Sequence, residues 1–158
     1  MNSGKELADR FRDMMLSGKY IAFTNVKEQL HDVTVDEANT SINGLNTIAM
    51  LTFHLRYYIK GVIQVFEGGD LTIRDKYSFD MNDLENENDW IALRDDLLSS
   101  AEKYAAFVEG FDNEKLASGF VKTEYGSYYK NIDGMIEHCY YHFGQIVIIK
   151  KMIRSMNS

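Results

Sequence analysis

No proline occurs among the 158 residues, where average usage would place about eight. Proline breaks helix interiors and favours turns and edge strands, so its absence agrees with a few long helices. Cysteine is nearly missing as well. The single Cys139 excludes an intrachain disulfide and a cysteine zinc cluster, and a reducing cytoplasm is the expected location. Nowhere do 18 apolar residues run together, so no membrane span is expected. The opening MNSGKELADRFRDMM alternates charged with apolar residues and lacks the apolar core of a signal peptide. Positive charge is scarce: 17 Lys and Arg stand against 24 Asp and Glu, a net charge of −7 with a pI near 5.0. Without a basic stripe there is little to neutralise phosphates, which argues against nucleic acid as a partner. A glycine-rich phosphate loop, a nucleophile elbow and an HExxH motif are also missing.

What is present is ordinary globular composition, 45% hydrophobic and 26% charged. At 18.2 kDa, residues 1–158 make one domain, with no room for a second sizeable core. A chain this long buries about 68–70% of its unfolded surface and needs neither disulfide nor metal to fold.

Four segments carry a 3.6-residue hydrophobic period. The first, residues 4–31, places Leu7, Phe11, Met14, Met15, Ile21, Val26 and Leu30 near one side, with Gly18 as a weak point. Thr34 followed by Glu37 has capping-box spacing and predicts a short helical turn. The second segment, residues 43–67, is apolar around much of its circumference, as buried helices are, and Gly68-Gly69 ends it. Residues 70–88 read as a long acidic loop, with alternating Leu71, Ile73, Tyr77 and Phe79 as a strand-like piece or an anchor. The third segment starts near Asn88 or Asp89 and ends at Gly110. The fourth spans residues 131–156, with Lys150, Lys151 and Arg154 in its last turns, where cations suit the helix dipole. Four long amphipathic helices with two longer connections predict an all-α four-helix bundle.

Two of the four histidines stand as His138-Cys139-Tyr140-Tyr141-His142. At i and i+4 they share a helix face about 5–6 Å apart, close enough to converge on one ion. An HxxxH pair alone is a weak signal, but both histidines fall in the apolar stripe with Met135, Ile146 and Ile149. A buried imidazole without a partner is costly, so the pair needs hydrogen bonds or a metal. His54 is embedded in the most apolar segment. It either bonds a backbone carbonyl or a tyrosine, or completes a three-nitrogen site with open coordination positions. His31, at the end of the first helix, is left outside this group.

A histidine in the second helix followed by HxxxH in the last resembles the DinB-like (YfiT-like) superfamily. The stretches that carry it are TSINGLNTIAMLTFHLRYYIKGVIQVFEGG, the NDW opening of the third helix, and IEHCYYHFGQIVIIKK. The resemblance runs over essentially the whole chain. It implies an up-down-down-up four-helix bundle, a homodimer, and a divalent metal, commonly nickel or zinc, held by His54, His138 and His142. Members with known activity include thiol-dependent transferases and isomerases that use bacillithiol or mycothiol. The position after the third histidine, often basic in relatives, is Phe143 here.

Around these residues, Gln145 is placed to orient a ligand or a water, or to make a helix contact. Tyr58, one turn after His54, is a core tyrosine or a hydroxyl donor to substrate. Cys139 is a small buried hydrophobe or a thiolate ligand. Glu137 points about 100° away from His138 and is not a catalytic base. The acidic residues 80–96 lack EF-hand spacing and read as a solvated loop and helix start. Two functions remain. One is a metal-dependent hydrolase or thiol-dependent S-transferase acting on a small molecule. The other is a non-catalytic metal-binding or stress-related dimeric bundle. An open cavity above the histidines separates them.

Overall fold

The computed structural model describes residues 3–158, and among them every regular element is helical. In chain order these are α1 (Ser3–Arg12), α2 (Val26–His31), α3 (Val35–Asn39), α4 (Ile48–Phe66), α5 (Glu87–Glu109), α6 (Asn113–Ala117) and α7 (Tyr128–Met156).

The helix starts are set by side chains that accept the otherwise unpartnered first amides. Asn25 accepts from Glu28, Thr47 from Met50, Asn86 from Asp89, Asp112 from Lys115 and Ser127 from Lys130. At α3 the expected capping box is complete. Thr34 accepts from the Glu37 amide, and the Glu37 carboxylate accepts from the Thr34 amide. The true caps shift three expected boundaries. α4 starts at Ile48 rather than at residue 43, α5 at Glu87, and α7 at Tyr128.

The first segment departs most from expectation. Helix α1 widens into a π-helical turn, Asp13–Ser17, which the Gly18 amide closes on the Asp13 carbonyl at 3.1 Å. The chain then turns through Ala22 and Phe23, both at positive φ, before α2 begins. Ile21, expected in the apolar stripe, is therefore 41% exposed, and Leu45, ahead of the α4 cap, is 49% exposed. In both places the hydrophobic period runs beyond the true helix boundary.

Long helices form the body. α4 packs on α5 and α7, and α1 packs on α5 and α7. Trp90, Tyr104, Phe11, Leu55, Ile59 and Ile132 are fully enclosed in the shared core. The apolar circumference of α4 is covered within the single chain, by α5, α7, α3 and the loop after it, so it gives no reason for a second copy.

Residues 67–86 fold back over α4 as an anchored loop. Gly61 in α4 makes room for Ile73, whose methyl groups occupy the space a Cβ would need. The Tyr57 hydroxyl accepts from the Arg74 amide at 2.8 Å and donates to the Arg74 carbonyl at 3.2 Å. The stretch from Gly119 to Ser127 contributes one isolated antiparallel bridge between those two residues and a 3₁₀ turn at Thr123–Tyr125.

The basic residues at the end of α7 do more than oppose the helix dipole. Lys150 is only 8% exposed and donates to the Gln29 carbonyl at 2.7 Å and to Asp32 at 2.5 Å. Arg154 bonds both Asp32 and Glu37 at 2.8 Å. This network fastens α2 and α3 to the end of α7.

Candidate metal centre

His54 on α4 and His138 and His142 on α7 meet where the two helices face each other. The His138 Nε2 lies 3.0 Å from the His54 Nε2 and 2.9 Å from the His142 Nε2. All three ligand atoms lie within 4.8 Å of one another, and among the described residues no other histidine, cysteine or carboxylate joins them. Imidazole nitrogens about 2.0–2.1 Å from one ion stand roughly 2.9–3.4 Å apart at octahedral or tetrahedral angles. The two separations made by His138 fall in that range.

Counting protons points the same way. A neutral imidazole has one N–H donor and one lone-pair nitrogen. His54 directs its Nδ1 to the Ser78 carbonyl at 3.2 Å, and His142 directs its Nδ1 to the Gln145 Oε1 at 2.7 Å. Those Nδ1 atoms therefore carry the protons, and both Nε2 atoms present lone pairs to His138. A single N–H on His138 serves only one of them. The surplus of acceptors suits a bound cation.

The surroundings keep the rings neutral, the form that a metal requires. Burial pushes the His54 imidazole down to about 4, helped by the facing His142 and His138 rings. Burial, then His142, likewise pushes His138 down to about 4. His142 is also lowered by burial. Phe79 stacks on His54 with ring centroids 4.1 Å apart and the planes 10° from parallel.

Each residue singled out by sequence has a definite place. Gln145 orients His142, as expected. Tyr58 is half-buried with its ring edge-on to His54 and His138, at 4.9 and 5.1 Å. Its hydroxyl donates to the Asp75 carboxylate in a very short bond, and burial followed by this bond pushes the phenol up to about 12. Cys139 is fully buried beside Tyr104 and outside the histidine group, and burial pushes its thiol up to about 12. Thiolate ligation is thereby corrected: Cys139 packs as a hydrophobe. His31 is exposed at the end of α2, Glu137 is exposed, and Phe143 is buried.

Three contributors were missed. Ser78 and Phe79 brace His54, and Asp75 receives Tyr58. All come from the folded-back loop, where the alternation of Leu71, Ile73, Tyr77 and Phe79 was the only signal.

His138, which no described residue anchors through Nδ1 in the way the other two are anchored, borders a cavity of about 450 Å³. Val62, Leu71, Ile73, Phe120 and Met135 give it apolar walls, and Tyr58, Asp75, Lys130 and Asn131 add polar groups. No family model, curated protein or solved structure matches this chain.

Proposed function

We propose that this chain is a DinB-like metal protein in which His54, His138 and His142 hold one divalent transition metal, nickel or zinc, and act on a small molecule in the adjoining cavity. The observation that carries this reading is the cavity itself. One of the three imidazoles forms part of its wall, so a reactant has access to the centre. A sealed four-ligand site would have favoured a purely structural metal, and the one thiol, Cys139, is packed elsewhere.

Imidazole nitrogen suits nickel and zinc, whereas magnesium and calcium prefer oxygen. With three protein ligands, such an ion supplies Lewis acidity and a nucleophile, water or a thiol, that is deprotonated at neutral pH. That chemistry fits a hydrolase or a thiol-dependent S-transferase, and the resemblance favours the same two classes. The chain's own residues do the rest. Ser78 and Gln145 fix two ring orientations, which second-layer partners are known to require. The loop carrying Phe79 excludes water from one side of His54. Asp75 accepts the Tyr58 hydrogen bond at the cavity wall and holds that hydroxyl in place.

The up-down-down-up bundle, the homodimer and the cytoplasmic location implied earlier belong to the same proposal. Tyr141 and Ile148, 65% and 58% exposed on the outer side of α7, supply apolar surface of the kind a partner copy covers.

Metal analysis of untagged protein tests the centre. About one nickel or zinc per chain is expected. His54→Ala, His138→Ala and His142→Ala should each lower that content sharply, and His31→Ala should leave it unchanged. Full stoichiometry in all three single variants would reduce the centre to a satisfied core cluster.

A further inference from the structure

The cavity beside His138 carries two unlike charges that the protein itself does not pair. Asp75, on the loop after α4, receives only the Tyr58 hydroxyl, and neither it nor Lys130, in the first turn of α7, forms an ion pair with any described residue. Elsewhere Lys5, Lys19, Lys60, Lys103, Lys122 and Lys150 have carboxylate partners. Both groups line one cavity together with the apolar side chains of Leu71, Ile73 and Met135. Asn131, the other polar neighbour, spends its amide on the Tyr125 and Ser127 carbonyls and adds no charge.

An occupant that satisfies this lining needs an apolar body, one cationic end and one anionic end. A purely apolar molecule would leave both charges without a partner. A monoanion would face the Asp75 carboxylate, and a monocation the Lys130 ammonium. From this juxtaposition we infer that the cavity binds a small zwitterion of the amino-acid type, with its ammonium on Asp75, its carboxylate on Lys130 and its hydrocarbon chain against Ile73 and Met135. This inference rests on reading the cavity as the substrate pocket of the histidine centre, and it names the substrate class. It does not need the metal for binding.

The size of the effect is modest, since both charges stand at the solvent-exposed rim. Exposed pairs contribute about 0.2–1 kcal/mol, so each charge should change affinity about threefold and the two together about tenfold.

Four probes with the same six-carbon chain test this: 2-aminohexanoate, 6-aminohexanoate, hexanoate and hexylamine. Each is titrated into the full-length protein, with and without chelator, while the methyl resonances of Ile73, Val62 and Met135 are followed by NMR. At least one zwitterion should bind several-fold more tightly than both singly charged analogues. Lys130→Met should reduce that zwitterion to the affinity of hexylamine and leave hexylamine binding unweakened. Asp75→Asn should reduce it to the affinity of hexanoate and leave hexanoate unweakened.

Equal binding of all four probes, uniform loss across them in either variant, or no saturable shift with any probe would overturn the inference. The chelator arm keeps the two readings apart. Zwitterion preference that survives chelation supports the pocket even if the metal content proves nil. A loaded metal centre with no zwitterion preference removes the substrate class and spares the centre.

Discussion

At the scale of single residues, the histidines make a specific statement about pH. In the metal-free protein, His54 and His138 hold their protons only near pH 4, whereas an unfolded chain takes them up near 6.5. Above pH 6.5 both states are neutral and the cluster costs nothing. Between 6.5 and 4 the unfolded state binds protons that the folded state refuses, so stability falls as pH falls. A urea midpoint measured in chelator should therefore drop steadily across that window, and the slope should flatten in His54→Ala/His138→Ala.

A second residue-scale case is the Tyr104 hydroxyl, which is buried and has no hydrogen-bond partner among the described residues. Its ring packs on Phe11 and Phe66 with centroids 4.6 and 5.3 Å away. An unpaired buried hydroxyl gives up hydration for nothing, a penalty of about 1–3 kcal/mol. Tyr104→Phe should leave the thermal midpoint unchanged or raise it, and a clear fall would mean that the hydroxyl has a partner.

Much of the centre was legible at this scale. His138 and His142 are one helical turn apart and must share a face, and Gln145 follows on the same side. His54 was readable because an imidazole in so apolar a segment needs a reason. Ser78 and Asp75 were not legible, because nothing local dictates that their loop turns back onto α4.

At the scale of elements, that loop is held by a missing side chain. Gly61 leaves the gap into which Ile73 settles, and Tyr57 clips the backbone at Arg74. Gly61→Ala should pull two quantities apart. Alanine favours the helix by about 1 kcal/mol over glycine, yet its methyl would displace Ile73 and loosen the loop. Faster hydrogen exchange at the Arg74 amide, with global stability unchanged or raised, is the expected outcome. An unchanged Arg74 exchange rate would show that the loop does not depend on the gap. The first segment failed as a single helix for a related reason. Its hydrophobic period continues through Ile21, but the π-helical turn closed by Gly18 ends the helix ahead of it. Periodicity reports which face is apolar and is a poor guide to where the helix stops.

At the scale of the whole molecule, the Lys150–Asp32–Arg154–Glu37 network ties the two short helices near the chain's start to its last turns. Burial alone would raise the Asp32 carboxyl; hydrogen bonds from Arg154 and Lys150 outweigh it and hold the group at about 2. Its contribution is complete above the unfolded value of 3.8 and is lost as pH falls through about 2. Lys150→Met should lower the unfolding free energy at pH 7 by about 1–3 kcal/mol, the usual worth of charge-assisted hydrogen bonds. The deficit relative to the parent should shrink when both are measured near pH 2. A deficit independent of pH would assign the loss to packing of the lysine stem.

His54 stands 84 positions before His138 along the chain. An ion held by all three imidazoles closes that span like a removable cross-link, restricting the unfolded ensemble as a long covalent loop would. Because the folded chain alone presents the assembled nitrogens, each tenfold rise in free metal above the dissociation constant adds about 1.4 kcal/mol to the unfolding free energy. With the proposed ion bound, the resistance of this fold to heat and to proteases would be set partly by its supply, and a cell starved of it would hold the same chain in a more perishable form.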